Sequence, residues 1–144
     1  MTLNDAADGI VAVVGAIDNG IRFYPEPVEE HAGSPSVTGE ITFANMAMVG
    51  PTAGGRWTVD ATLLITTRAS QGGGWAAAIR RNRGYMSPHG DKSIIQAILA
   101  DDTLGGRVVS CLPKQGGMFD ERRIEFADGD RWTQELVFVV RLGA

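Results

Sequence analysis

The chain has 144 residues, of which 44% are hydrophobic and 21% are charged. This balance fits one folded domain spanning residues 1–144 and excludes wholesale disorder. The net charge of −4 argues against nucleic acid as the main ligand, since nucleic-acid binding usually leaves a basic footprint. We expect a soluble cytoplasmic product, because no signal peptide is visible and no apolar run reaches the roughly 20 residues of a membrane span.

The first predicted element is an amphipathic helix from Leu3 to Asp18. Its apolar residues recur at intervals of three and four, as on one face of a helix. Thr2 is positioned to cap the start, with Asp5 three residues later as a variant of the capping box. Asn19-Gly20 predicts that the helix ends with a residue in the left-handed backbone conformation.

A short strand, Ile21–Tyr24, is predicted next, followed by a loop from Pro25 to Ser36. The prolines of this loop are incompatible with a regular ladder of hydrogen bonds. His31 lies beside two glutamates, but no second His or Cys has the spacing of metal ligands. We therefore interpret this stretch as a solvated acidic loop rather than a metal site.

Two long strands follow, Val37–Val49 and the stretch that begins at Arg56, joined by a loop over Gly50–Arg56. In the first, Met46 and Met48 have the opposite parity to the earlier apolar residues, which predicts a bulge near Ala44-Asn45. The second strand alternates, with Leu64 as the only apolar residue on its polar face, so one face should pack on helices while the other meets water or a partner. The residues predicted to face the helices are Trp57, Val59, Ala61, Leu63 and Ile65.

A helix is predicted after the glycines at 72–74, and it carries Arg80, Arg81 and Arg83 close together. Such a cluster either forms a solvated face or offers a surface to an acidic partner. The glycines resemble a phosphate cradle only weakly, because neither the P-loop nor the dinucleotide-binding pattern is complete.

The stretch Ser87–Gly117 predicts a short helix that leads through a glycine turn into a strand. Ser87 is expected to cap the helix with Pro88 in its first turn, and Asp91 is the alternative cap. Asp101-Asp102 should end the helix, since acidic residues are unfavourable at its negative end. The predicted buried stripe is Ile94, Ile95, Ile98 and Leu99, and Leu104 is expected to close the end of the helix. The sole cysteine, Cys111, follows in the strand "RVVSCL"; it excludes an intramolecular disulfide and is interpreted as a small buried apolar residue.

The last two predicted strands form a hairpin that turns at Asp128-Gly129. The second of them places Trp132, Leu136, Phe138, Val140 and Leu142 on one face. Val137 and Val139 lie on the opposite, otherwise polar face, which suggests that something outside the chain covers part of that surface.

The element order predicts an α+β fold. A mixed, largely antiparallel sheet should be packed on one face by the N-terminal helix and a central helical region. The short strand Ile21–Tyr24 is expected at an edge.

This order, together with two stretches of sequence, resembles the tail terminator (tail-completion) proteins of long-tailed bacteriophages. The stretches are Ser87–Val108, "SPHGDKSIIQAILADDTLGGRV", which is similar to a run in phages of actinobacteria, and the hairpin Arg122–Leu142, "RRIEFADGDRWTQELVFVVRL". The chain departs from the expected pattern at Lys114–Glu121, "KQGGMFDE", where a tighter passage between strands was expected. The pairing order around residues 112–121 is therefore left open.

The resemblance implies a virion protein that assembles in the host cytoplasm. Such a protein forms a six-membered ring at the head-proximal end of the tail tube, stops polymerisation of the major tail-tube protein and contacts the neck proteins. DNA passes through the lumen without specific binding, and the acidic net charge suggests that the lumen repels it. A neck or head-completion connector between portal and tail is the alternative within the virion.

The resemblance implies no catalytic residue, cofactor or metal. A small enzyme or a small-ligand binder remains an alternative, and convergence of Cys111 with His31 and His89 would favour the enzyme. A ring needs heterologous contacts, which can use sheet edges, outward apolar side chains and loops. The residues predicted on these grounds to contact other subunits or partners are Ile21, Phe23, Tyr24, Pro25, Pro27, Thr52, Arg56, Arg80, Arg81, Arg83, Val137 and Val139.

Overall fold

The computed structural model describes residues 1–17, 21–27, 37–50, 55–68, 75–116, 119–126 and 129–143. The predicted α+β fold is confirmed: within these ranges, three helices accompany a mixed sheet of six strands. In chain order the elements are α1 (Leu3–Gly15), β1 (Arg22–Tyr24), β2 (Val37–Val49), β3 (Arg56–Arg68), α2 (Trp75–Met86), α3 (Ile94–Ala100), β4 (Ser110–Pro113), β5 (Phe119–Phe126) and β6 (Gly129–Leu142).

The sheet is organised around β6, which follows the other five strands in the chain. The strand order is β1-β2-β3-β6-β4, and β5 pairs with the same edge of β6 as β4 does, farther along that edge. Only the β1–β2 pair is parallel among the described pairs. Leu136 of β6 thus lies between Leu63 of β3 and Phe119 of β5. This resolves the pairing left open around residues 112–121.

One face of the sheet and the helices share a single hydrophobic core. The alternation predicted for β3 and β6 is confirmed, because the residues that were assigned to the inner face are buried from Val59 to Ile65 and from Leu136 to Leu142. Helices α1 and α3 contribute Ala6, Ala7, Ile10, Val14, Ile94, Ile95 and Ile98 to the same cluster. Cys111 is also buried there, as predicted.

Helix α1 begins with the predicted capping box. The Asp5 amide donates to Thr2 Oγ1 at 3.1 Å, and the Thr2 amide donates to Asp5 Oδ2 at 2.8 Å. The hydrogen bond from the Thr2 backbone holds the pKa of Asp5 below its usual value. The helix ends at Gly15, earlier than the predicted Asp18, and the predicted exit at Asn19-Gly20 lies outside the described residues.

Two glycines allow close approach between elements of the core. A Cβ atom on Gly9 of α1 would lie 2.8 Å from Leu104 Cβ, and one on Gly39 of β2 would lie 2.3 Å from the ring of Phe23. Both distances are shorter than van der Waals contact, so the absence of a side chain sets the packing distance at each place.

The predicted start of α3 is wrong. The cap is Ser93, whose Oγ accepts from the Gln96 amide at 3.2 Å and donates to the Ser87 carbonyl at 2.6 Å. Neither Ser87 nor Asp91 caps the helix; Ser87 Oγ instead donates to the carbonyl of Arg83 in α2. The helix therefore has only seven residues, and Leu99, predicted to be buried, is exposed.

Other boundaries also differ from prediction. The strand predicted at "RVVSCL" begins only at Ser110, and the strand before the last one begins at Phe119. The predicted bulge is confirmed by a register shift between Ala44 and Ala47. The predicted turn at Asp128-Gly129 falls partly outside the described residues.

Candidate interaction surfaces

The far end of the β2–β3 pair carries the most concentrated exposed apolar surface of the described chain. Beyond Phe43, β2 is exposed at every position through Val49. Four large apolar side chains lie there at 41–50% exposure: Met46, Met48, Val49 and Trp57. We call these four residues the hairpin end. Large apolar side chains grouped in this way mark interaction sites more often than ordinary surface.

A bulge and a group of three hydrogen-bonded side chains fix the direction of the hairpin end. We call this group, Asn45, Asp60 and Lys114, the polar brace. Asn45, in the bulge, has φ of +56°, in the left-handed region that asparagine tolerates better than most residues. Its Nδ2 donates to Asp60 Oδ2 at 2.9 Å, and Lys114 Nζ contacts the same oxygen at 2.6 Å. The hydrogen bond from Lys114, and then that from Asn45, lowers the pKa of Asp60. One carboxylate thus ties β2, β3 and the segment after β4 together.

Within the described residues, the outer edge of β2 has no strand partner along the same stretch, and we call this segment the open edge of β2. Strand β1 pairs with β2 only over Thr38–Glu40. Among the residues that the structure describes, no strand pairs with this edge between Ile41 and Val49. An open edge presents backbone donors and acceptors that another strand can use.

A second apolar surface is a groove of about 520 Å³ between α2, α3 and β5. Its lining is mostly apolar, and Phe119 of β5 is 46% exposed. The lining residues, which define the groove, are Arg83, Met86, Ser87, Pro88, Ile95, Phe119 and Glu121.

The polar rim of the groove is held by an ion pair. Arg83 Nε donates to Glu121 Oε2 at 2.9 Å, and its Nη2 donates to Oε1 of the same carboxylate. Gln134 Nε2 also donates to Glu121, at 3.0 Å. These hydrogen bonds, first that from Arg83, lower the pKa of Glu121, and Glu121 in turn raises the pKa of Arg83. The charges of Arg83 and Glu121 at the rim therefore balance each other.

The orientation of α2 over the sheet comes from a buried hydrogen bond. Asn82 Nδ2 donates to Thr67 Oγ1 of β3 at 2.9 Å, and both residues are buried. Tyr85 and Met86 join the core at the end of the helix. Because these contacts anchor α2, Arg83 and Met86 are fixed at the wall of the groove.

The structure places the predicted interface residues in several environments. Ile21 is buried, while Phe23, Tyr24, Pro25, Val137 and Val139 are half-buried. Exposed side chains belong to Pro27, Arg56, Arg80, Arg81 and Arg83. Thr52 and His31 lie outside the described residues. Of the predicted set, Arg56 neighbours the hairpin end, and Arg83 lines the groove.

Apart from Arg83, the interface prediction did not include the residues that form the two apolar surfaces. The parity of Met46 and Met48, opposite to that of the earlier apolar residues, is a possible signal of an exposed apolar surface. The prediction interprets it only as a bulge. The sequence around Phe119 gives no signal of an interface, because the strand pairing of this stretch cannot be predicted from it. Arg83 and Glu121 are 38 residues apart, so their pairing depends on tertiary structure.

Few other reactive or metal-binding groups occur among the residues that the structure describes. Burial raises the pKa of Cys111 to about 12, which disfavours the nucleophilic thiolate at neutral pH. Within the described ranges, no group of three or more His, Cys, Asp or Glu side chains is placed to hold a metal ion. None of the described helices combines the length and the apolarity that crossing a membrane requires.

The chain matches none of the protein-family models and none of the curated proteins with which it was compared.

Proposed function

We propose that the protein is a structural virion protein that forms a ring at the head-proximal end of a phage tail tube. In this role it ends polymerisation of the tube protein and joins the tail to the neck proteins. Six copies per ring, as in the tail terminator proteins that the sequence resembles, is the proposed stoichiometry. DNA passes through the lumen, whose acidic character limits sticking.

The observation that carries the proposal is the exposed hairpin end beside the open edge of β2. A ring requires that one surface of each subunit meet a different surface of the next. An open strand edge supplies backbone hydrogen bonds for such a contact, and exposed methionine and tryptophan side chains supply apolar area. A chain that acts alone in water gains nothing from exposing both together.

The first test is the oligomeric state of the purified chain. We expect native mass spectrometry to give a closed assembly close to six times the 15.3 kDa chain mass, and negative-stain microscopy to show rings. A protein that stays monomeric at every concentration, both alone and with purified tail tubes, would contradict the proposal.

The second test distinguishes the terminator from the neck connector. A nonsense mutation in the gene, in the phage that carries it, should give overlong tails when observed by electron microscopy. Tails of normal length that fail to join heads would instead assign the protein to the neck. Expression of the intact gene from a plasmid is the control, and it should restore normal virions.

A further inference from the structure

We propose that the groove between α2, α3 and β5 binds an acidic peptide segment of another protein. A large apolar side chain of that segment packs on Phe119, and a carboxylate of the segment lies at Arg83 and Arg80. This inference goes beyond the ring proposed above, because the groove shares no residue with the hairpin end or with the open edge of β2.

The apolar part of the groove leaves a large aromatic side chain uncovered. Phe119 pairs across the sheet with Leu136, which is fully buried, so Phe119 lies on the face of the sheet that carries the core. It is nonetheless 46% exposed, whereas Met86 and Ile95, which line the groove from the two helices, are buried. A large apolar group on Phe119 would remove this area from water, which is the main gain at an anchor residue.

The polar part of the groove is positively charged, although the chain as a whole has a net charge of −4. Arg80 lies three residues before Arg83 in α2, so the two side chains leave the same face of the helix. Glu121 offsets only one of these two charges, and within the described ranges no acidic side chain forms an ion pair with Arg80. Asp91 and Lys92, in the loop between α2 and α3, offset each other in charge. The groove therefore attracts a negatively charged partner.

Arg83 can contact a second carboxylate while it holds Glu121. A guanidinium has five N–H donors, and the pair with Glu121 uses two of them. The side chain of Arg83 is 53% exposed, whereas that of Glu121 is 17% exposed and also accepts from Gln134. The exposed side of the pair therefore presents donors rather than acceptors, which favours an acidic group in the partner.

The shape of the groove favours a peptide over a small molecule. Binding sites for small molecules bury about 70–90% of the ligand surface. Phe119 and Arg83 are each about half exposed, so the groove is open along one side. An open apolar groove with arginines at its rim suits one side of a peptide that carries apolar anchors beside acidic residues.

The test starts from an mRNA-displayed library of random linear peptides, selected on the immobilised full-length chain. We expect the enriched peptides to share a large apolar residue with Asp or Glu close to it. The most enriched peptide is then synthesised with a fluorescent label, and its dissociation constant is measured by fluorescence anisotropy on wild type and on variants. Enrichment of basic peptides, or no enrichment, would overturn the proposal.

Two charge reversals on α2 test the basic rim. Arg80→Glu should weaken binding of the labelled peptide about tenfold, because it places a negative charge beside the acidic residues of the peptide. Arg81→Glu is the matched control, with the same change in net charge. Position 81 is two residues from Arg83, or about 200° around the helix, so it lies on the opposite face and binding should change by less than about twofold. Equal losses in both variants would mean that the peptide responds only to net charge.

A second pair of variants tests the apolar anchor. Phe119→Ala should weaken binding by about 30-fold, the loss that is typical of a hot-spot residue. Leu112→Ala is the control, since Leu112 is an exposed leucine (42%) on β4 outside the groove. Circular dichroism and thermal melting check that both variants remain folded, which we expect because both positions are at least 42% exposed. Unchanged binding by folded Phe119→Ala would overturn the proposal, and if this variant unfolds, the arginine variants decide it.

Decanoate distinguishes a peptide from a small amphiphile, because it also combines an apolar chain with a carboxylate. We expect isothermal titration calorimetry to show weaker binding of decanoate than of the selected peptide. Tighter binding of decanoate than of every selected peptide would assign the groove to a small ligand. A chain that forms rings but binds no peptide would overturn this inference alone, and a monomeric chain that binds the peptide would overturn only the ring.

Discussion

Strand β2 passes through two environments along its length. At its start, Val37–Gly39 and Ile41 are buried, and the strand lies within the hydrophobic core. From Ala44 to Val49 each residue is exposed, although the same strand still pairs with β3. The base of the hairpin therefore stabilises the fold, whereas its end adds exposed apolar area with little stabilisation. Folding and the proposed association would therefore use separate parts of the same pair of strands.

The largest expected effect is in the hydrophobic core that covers the base of the hairpin. Phe138→Ala removes a ring that is fully buried in the core, and we expect unfolding free energy to fall by about 3–5 kcal/mol. Urea denaturation followed by circular dichroism measures this loss. Trp57→Ala is the matched aromatic control on the same face of the sheet. If it lowered the unfolding free energy as much as Phe138→Ala does, the proposed difference between the buried core and the exposed hairpin end would be wrong.

A single methyl group should also matter where α1 packs against Leu104. Gly9→Ala pushes a Cβ atom to within 2.8 Å of Leu104 Cβ, so we expect a loss of about 1–3 kcal/mol despite the better helix propensity of alanine. Gly15→Ala in the same helix meets no atom within 4 Å and should be neutral or slightly stabilising. Thermal melts of the two variants sharpen the comparison; equal melting temperatures would show that α1 can shift away from Leu104.

The polar brace lies at the border between the two environments. Asp60→Asn keeps the shape of the side chain but removes the charge that Lys114 contacts, and we expect a loss of about 1 kcal/mol at neutral pH. Because folding lowers the pKa of Asp60, its stabilising contribution is present above the ordinary value of 3.8 and is lost as the pH falls through the folded pKa.

The pH dependence can be measured by urea denaturation between pH 7 and pH 3. The difference in unfolding free energy between wild type and Asp60→Asn should become smaller as the pH approaches 3. Asp8→Asn, at an exposed position of α1, is the control for removal of a carboxylate. A gap that stays constant across the range would rule out the charge of Asp60 as the source of the stabilisation.

The smallest effect is expected at the hairpin end. Met48→Ser should change the stability of the isolated monomer by less than about 0.5 kcal/mol, because the side chain is half exposed and belongs to no core cluster. Urea denaturation at low protein concentration measures this without a contribution from assembly. A loss above about 1.5 kcal/mol would mean that the hairpin end is structural after all.

The sequence predicted which side chains are buried more accurately in the core than at the exposed hairpin end. Alternation in β3 and β6, despite Leu64, Val137 and Val139 on the other face, indicated which residues are buried, because a strand of period two has a definite inner face. The same alternation counted Trp57 with the core residues, although it is 41% exposed. How far the covering helices extend along the strands depends on tertiary packing, and no local pattern records it.

The start of α3 shows a similar limit. Ser87-Pro88 and Ser93 are both acceptable beginnings by local chemistry. Ser93 is the N-cap of α3, and its hydroxyl also donates to the Ser87 carbonyl, which the folded loop brings close. The groove was beyond sequence reasoning for the same reason: Arg83, Ile95 and Phe119 come from three separate elements.

The position of β6 has a consequence for the timing of biosynthesis. Strand β3 gains its second neighbour only when Gly129–Leu142 has been made, about 60 residues after β3 itself is complete. At 5–20 residues per second, a ribosome takes on the order of 3 to 12 s to cover that distance. During that interval the nascent chain has no finished sheet, because β4 and β5 also lack the strand with which they pair. An association that uses the finished sheet, as the proposed ring does, therefore waits until β6 has been made.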